Sequence, residues 1–410
     1  MSQQIGGQDR KVKARKTSHL RCGILVPFMA ACWLGSVAAA AAQGKCGPTV
    51  GFTLTHLHVD TSKEAECLEL GAGTAETRVS TLHAADNIVQ SYADPNMRAA
   101  VKSDIAQMVV QGATAMRTIL WFYLAEDEKV AQKERNNPNS AGMVEATAGK
   151  LPDAIVSNLV QLISDAKSAG ISRYIVSMGS QGTQNPKCRA GGDQAEWGNC
   201  YDPSLFKYSW TVTEQVAKAL KSPRLSGIDV LIDIAPEGCF DPSLRTLLDR
   251  NLKDHASQMI SHYRDEFGDR QFITSCGGGR SERSIRGLQG MEQLYMTLHT
   301  RPAAVDLHVY DKNQQDIAQM LEAADAAAKR LGVPMEIGET NIDHPYLFGT
   351  IHALLSNGKL ASLRNVLVFP RRAASKCQID VQAPYNIAAV RAAMGLQPYP
   401  SNGTLCLRPN

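Results

Sequence analysis

The chain of 410 residues is 44% hydrophobic and 20% charged, proportions that fit a globular protein and exclude disordered and fibrous classes. Its formal charge of +3 is concentrated at the start, because six of the 43 basic residues and only one of the 40 acidic ones fall in the first 42 positions. The remainder carries two more acids than bases, so nothing in its charge asks for nucleic acid.

Residues 1–42 have the three parts of a secretory signal. Basic residues from Arg10 to Arg21 precede an apolar run from Gly23 to Ala39, and Ala40, Ala41 and Ala42 form a small-residue cleavage site before Gln43. The run is short for a spanning helix, which needs about 20 apolar residues. The expectation is a cleaved leader over 1–42, a mature domain over 43–410, and a periplasmic or secreted protein without a membrane anchor. Of ten cysteines, Cys22 and Cys32 leave with the leader and eight remain. An even set in an exported chain suggests disulfides. Pairing sequence neighbours gives Cys46–Cys67, Cys188–Cys200, Cys239–Cys276 and Cys377–Cys406, one of many possible connectivities.

The mature part opens with a strand at Val50–His56 and a helix over Pro95–Gly112, with Val101, Ile105, Met108 and Val109 at helical spacing. A strand at Ala115–Trp121 leads to a helix over Pro152–Ala169, and a strand from Arg173 leads to a helix over Val212–Leu220. The run Ile228–Ile234 precedes a long helix over Pro242–Phe267, and Gln271–Ser275 precedes a helix near Met291–Leu298. Val305–Tyr310 is followed by an Ala-rich helix over Gln315–Leu331, and Pro334–Gly338 by a helix over Pro345–Leu355. Asn365–Phe369 and a short helix near Tyr385–Ala393 close the series.

Strand–helix alternation argues for a parallel sheet. Eight such units predict an α/β protein, a single (β/α)8 barrel with its enlarged loops in the first half. An open doubly wound sheet would want a Gly-rich phosphate loop after its first strand, and that position reads Thr55-His56-Leu57-His58. Gly277 to Gly279 after the fifth strand lack the Lys and Ser/Thr of such a loop.

A barrel carries its site at the carboxyl ends of its strands. The fourth strand runs out through Asp233 to Pro236-Glu237, and the seventh ends Glu336-Ile337-Gly338-Glu339-Thr340-Asn341. Two carboxylates on opposite walls can converge across the barrel mouth, a pairing that suits glycoside hydrolysis. The second strand carries Arg117 and ends at Trp121, and the sixth ends His308-Val309-Tyr310. Arg117 would favour the ionised form of a neighbouring carboxylate, and Tyr310 would orient one. The polar segment after the third strand supplies Gln181 and Trp197, the latter a flat apolar face for a sugar ring. Trp210 reads as a core residue of the following helix.

In this order and spacing the motifs resemble the clan of (β/α)8 retaining glycoside hydrolases with an acid/base Glu on the fourth strand and a nucleophile Glu on the seventh. The resemblance implies that Glu237 is the acid/base and Glu339 the nucleophile. It also implies that Arg117, His308 and Tyr310 line the subsite of the cleaved bond. Trp121, Gln181, Trp197 and Asn341 are expected as further substrate contacts, and the chain is expected to act on a carbohydrate as a monomer with no cofactor or metal. Two positions depart from the clan's pattern. Pro236 stands where Asn often contacts the sugar 2-hydroxyl, and Phe369-Pro370 where a Trp often ends the eighth strand. A retaining enzyme needs carboxyl groups about 5–5.5 Å apart, an inverting one about 6.5–9.5 Å. Two rival readings remain. One is a metal-dependent hydrolase of the amidohydrolase type using His56 and His58 with Glu237 and His308, although the fifth and eighth strands lack its His and Asp. The other is a carbohydrate-binding barrel without turnover.

Overall fold

A computed structural model describes residues 47–54, 87–135, 143–188, 198–269, 271–277, 281–311, 313–342, 344–369 and 386–397. The barrel strands are β1 (Thr49–Thr53), β2 (Ala113–Leu124), β3 (Arg173–Ser180), β4 (Asp229–Asp233), β5 (Phe272–Ile273 and Ser275–Cys276, interrupted at Thr274), β6 (Val305–His308), β7 (Met335–Asn341) and β8 (Leu363–Phe369). All neighbours pair in parallel. The first half of β5 pairs with β4 and its second half with β6, so the sheet closes on itself through a single strand. A short strand, Val144–Ala146, lies outside the ring against the end of β2.

Each strand is followed by a helix: α1 (Pro95–Val110), α2 (Asp153–Ala169), α3 (Phe206–Leu220), α4 (Leu247–Phe267), α5 (Ser281–Thr297), α6 (Gln314–Leu331), α7 (Leu347–Ser356) and α8 (Ile387–Ala393). Local chemistry sets their limits. Asp94 accepts from the Asn96 and Met97 amides at the start of α1, and Asn313 caps α6 in the same way. α6 stops at Gly332, which takes the left-handed conformation that ends helices. α4 begins five residues after Pro242 because Thr246 caps it through the Asp249 amide, while Asp241 turns the preceding chain by accepting from Ser243. α5 begins well before Met291. Its Gly287 and Gly290 obscure a helical pattern, yet a Cβ at Gly287 would stand 3.0 Å from Cys239 and one at Gly290 3.1 Å from the Phe240 ring. Those glycines let the helix lie close on the chain that follows β4.

Side chains alternate along each strand, so every second residue points into the barrel. Reading up β3, β4 and β8 gives three layers. Arg173, Asp229 and Asn365 sit at the bottom with Glu336 of β7 and Thr49 of β1, where Asn365 donates to Glu336 at 2.8 Å and Arg173 pairs with both Asp229 and Glu336. Above them, Ala115, Ile175, Leu231, Ile273, Ala304 and Leu367 form an apolar plug. Over the plug lies a polar layer that carries the site. The larger core packs the outer strand faces against the helices. Among the described residues, no helix is long and apolar enough to cross a membrane.

Candidate active site

Arg117 of β2 is the hub of the polar layer and is wholly buried. Its guanidinium meets Asp233 of β4 at 2.6 Å and Asp306 of β6 at 2.8 Å, and its Nε faces Glu339 of β7 at 3.4 Å. Ser177 of β3 accepts from Arg117 at 2.9 Å and donates to Asp233 at 3.1 Å. Ser275 of β5 also donates to Asp233, at 2.8 Å, and accepts the backbone N–H of Glu237 at 2.9 Å. Burial opposes the Arg117 charge, but the surrounding carboxylates raise its pKa, so it stays a cation.

The two sequence-selected carboxylates stand above this layer. Glu237 lies in the left-handed region at φ 50, unusual for a residue with a side chain, and the Ser275 hydroxyl holds its amide there. Glu339 follows a register shift in β7. Leu307 and His308 are consecutive, while their partners Ile337 and Glu339 are two apart, and the pairing with β8 shifts in the same stretch. The extra residue re-aims Glu339 into the barrel. Gly338 makes this possible, since any Cβ there would collide with the Asp306 carboxylate and the Arg117 guanidinium.

His308 Nδ1 lies 3.2 Å from Glu237 Oε1 and 3.3 Å from Glu339 Oε2. One ring nitrogen therefore spans both carboxylates, and facing oxygens of the pair approach within 4.8 Å. Tyr310 donates to Glu339 Oε2 at 2.9 Å. Lys187, from the loop after β3, reaches Glu237 Oε2 at 2.9 Å. Burial works against ionised Glu237, but the His308 hydrogen bond and the Lys187 charge outweigh it and hold the carboxyl well below the usual range. Burial likewise opposes a charged His308, while Glu339 and Glu237 leave its pKa raised. Burial and the Glu339 charge push the Tyr310 phenol far up, so it remains a donor.

The cleft is lined by Glu237, Glu339, His308, Tyr310 and Trp121, with Lys187 and Phe369 at its walls. The Trp121 ring lies against Gly179 of β3, where a Cβ would collide with it. Arg117 sits beneath the lining rather than in it. Gln181 and Asn341 flank the cleft and are not among the described lining residues. Trp197, His56 and His58 lie outside the described residues, as do Cys46, Cys67, Cys377 and Cys406. Cys188–Cys200 and Cys239–Cys276 form as sequence-neighbour pairing expects. Trp210 stacks on His262 at 5.1 Å in the packing between α3 and α4. Asp233, Asp306, Ser177, Ser275 and Lys187 escaped the sequence reading. Asp233 and Asp306 are acids inside apolar strands, a signal available in the sequence. Lys187 sits in a loop with no periodicity to mark it.

Among the described residues, two groups have metal-ligand spacing: Glu237, His308 and Glu339, and Asp233, Asp306 and His308. Each already faces a fixed cation, Lys187 on Glu237 and Arg117 on Asp233, Asp306 and Glu339. That charge opposes a second positive ion. As they stand, these residues fit acid–base and nucleophilic chemistry better than metal binding.

No family model matches the chain, and no curated protein matches it in sequence. Solved structures similar to it include an endo-β-1,4-mannanase double mutant from Cellulomonas fimi, at 13% identity and TM-score 0.47 over 87% of this chain and 73% of that one. A GH26 β-mannanase from Bacteroides ovatus is similar at 15% identity and TM-score 0.43, over 88% of this chain and 93% of that one. A GH5-4 broad-specificity endoglucanase from Ruminococcus champanellensis, with bound cellotriose, is similar at 11% identity and TM-score 0.47, over 87% and 98%.

Proposed function

We propose that the chain is an exported glycoside hydrolase that cleaves O-glycosidic bonds of an oligo- or polysaccharide with retention of configuration. The observation that carries this reading is the approach of the Glu237 and Glu339 oxygens to within 4.8 Å around a shared His308 nitrogen. So close an approach of facing oxygens fits the shorter carboxyl spacing of retaining enzymes, about 5–5.5 Å, better than the spacing of about 6.5–9.5 Å in inverting ones, and supports a direct attack. Glu339, oriented by Tyr310 and facing Arg117, attacks the anomeric carbon. The bond to the leaving oxygen breaks, and that oxygen takes a proton from Glu237. In the second half-reaction Glu237 takes a proton from water, whose oxygen attacks the same carbon and releases Glu339.

The resting state of Glu237 is the carboxylate, so it must gain its proton and shed one partner before it can act as the acid. The two disulfides support export to an oxidising compartment. We expect the chain to act on carbohydrate as a monomer without a cofactor. Replacing the nucleophile by Glu339→Ala is expected to abolish hydrolysis of an activated aryl glycoside. Azide, filling the vacated space, should then restore turnover and yield a glycosyl azide. An unimpaired Glu339→Ala enzyme overturns the assignment. Retained glycan binding with no cleavage of any glycan would favour a binding barrel.

A further inference from the structure

We propose that Lys187 is the recognition residue for a carboxylate on the bound sugar, so that the substrate is a uronate-containing glycan, and that transfer of Lys187 to that carboxylate frees Glu237 to act as the acid. The proposal rests on the glycosidase reading and names its substrate class.

The loop that carries Lys187 is built to hold it over the cleft. Asn185 accepts the Lys187 amide at 2.9 Å and donates its own side-chain N–H to the Ser180 carbonyl at 2.8 Å, fixing a turn directly off β3. The next residue, Cys188, is tied to Cys200. The Cys188 carbonyl accepts from Gly198, and Asn251 of α4 donates to the Gly198 carbonyl at 2.9 Å. The backbone beneath Lys187 is thus pinned to β3, to the far side of the loop and to α4, while its side chain, 24% exposed, reaches across to Glu237.

Among the described residues that line the cleft, Lys187 is the single lysine or arginine. Arg117 is wholly buried and faces three carboxylates. Among the described lining residues, the lysine or arginine charge that a ligand can reach therefore sits on the candidate acid. There it works against the acid form. His308 faces Glu237 Oε1 and Lys187 faces Oε2, and both contacts favour the carboxylate over the protonated acid a leaving group needs. A neutral sugar offers Lys187 nothing equivalent to the partner it would leave. A uronate offers the same chemical group, so the exchange swaps one carboxylate for another. It removes one of the two groups that hold Glu237 ionised, the His308 hydrogen bond being the other, and screens the anionic sugar from Glu237 and Glu339. A lysine suits this role because its ammonium is a point charge on a flexible stem, without the fixed fork of arginine.

The experiment compares oligosaccharides that differ only at C6: β-1,4-mannuronan with β-1,4-mannan, and polygalacturonate with its carboxyl-reduced form. kcat/KM is measured against pH for the wild type and for Lys187→Met and Lys187→Arg. The wild type should prefer the uronate of a cleaved pair by at least tenfold. Lys187→Met should lose that preference, become faster on the neutral member and carry its activity on that member to higher pH. Lys187→Arg should keep part of the preference. Equal wild-type rates on both members, or a Lys187→Met loss shared equally by both, overturns the proposal. If no oligosaccharide is cleaved, the glycosidase reading fails, and calorimetric binding of the same pairs tests Lys187 by itself. Tighter uronate binding that Lys187→Met removes sustains the recognition role, and equal affinities overturn it.

Discussion

At the scale of single residues, the site works by assigning each carboxylate oxygen a partner. Glu339 Oε2 receives the Tyr310 hydroxyl at 2.9 Å and faces His308 at 3.3 Å, while Oε1 faces the Arg117 guanidinium. Tyr310 is partly exposed, so its ring contributes little to the core, and its hydroxyl can be removed without leaving a cavity. A hydrogen bond to a charged group contributes about 1.5–3 kcal/mol. Tyr310→Phe is therefore expected to lower kcat by roughly 10- to 100-fold, with the melting temperature within a few degrees of wild type. Steady-state kinetics beside a thermal melt checks both halves, and wild-type kcat would remove Tyr310 from the mechanism.

At the scale of elements, the position of Glu237 depends on a junction between β4 and β5. Ser275 holds its amide in the left-handed conformation, and Cys239, two residues on, is bonded to Cys276, the residue after Ser275. The 37-residue separation of the two cysteines makes this cross-link worth about 4 kcal/mol in the chain-entropy picture. The double variant Cys239→Ser, Cys276→Ser should lose about 2–4 kcal/mol by urea unfolding. Its folded fraction should also turn over more slowly, because the Glu237 turn is no longer clamped. Normal kcat per folded molecule would make the bond structural only. Much of this level was legible in the sequence. The period of the strands and the helical runs placed all eight units, and the barrel rule then picked Glu237, Glu339, His308 and Tyr310 from the strand ends. What escaped lacks a period. The bulge at Gly338 breaks the alternation that reading relies on. Lys187 reaches the cleft through a turn and a disulfide, and the glycines of α5 earn their place only through contact with Cys239 and Phe240.

At the scale of the whole molecule, the barrel interior stacks a charged layer, an apolar layer and a second charged layer beneath the cleft. Each charged layer is centred on one arginine, and the two arginines have different duties. Arg173 at the bottom closes the barrel against Asp229 and Glu336, far along the strands from the cleft. Arg117 binds acids from β4, β6 and β7, and one of those acids is Glu339. Removing one member of a buried ion pair costs about 3–5 kcal/mol because the remaining charges stay unpaired. Arg173→Met and Arg117→Met should therefore both destabilise the fold by about that much, seen as lower midpoints of urea unfolding. Their activities should separate. Arg173→Met leaves the polar layer under the cleft intact, so the folded fraction should keep the wild-type kcat. Arg117→Met removes the cation that Asp233, Asp306 and Glu339 share, and its folded fraction should lose kcat as well. Arg117→Lys should recover part of the stability but less of the rate, since a point charge cannot address three carboxylates from one fork. Should Arg117→Met keep the wild-type kcat per folded molecule, the upper layer is scaffold alone, and Glu339 takes its orientation from Tyr310 and His308.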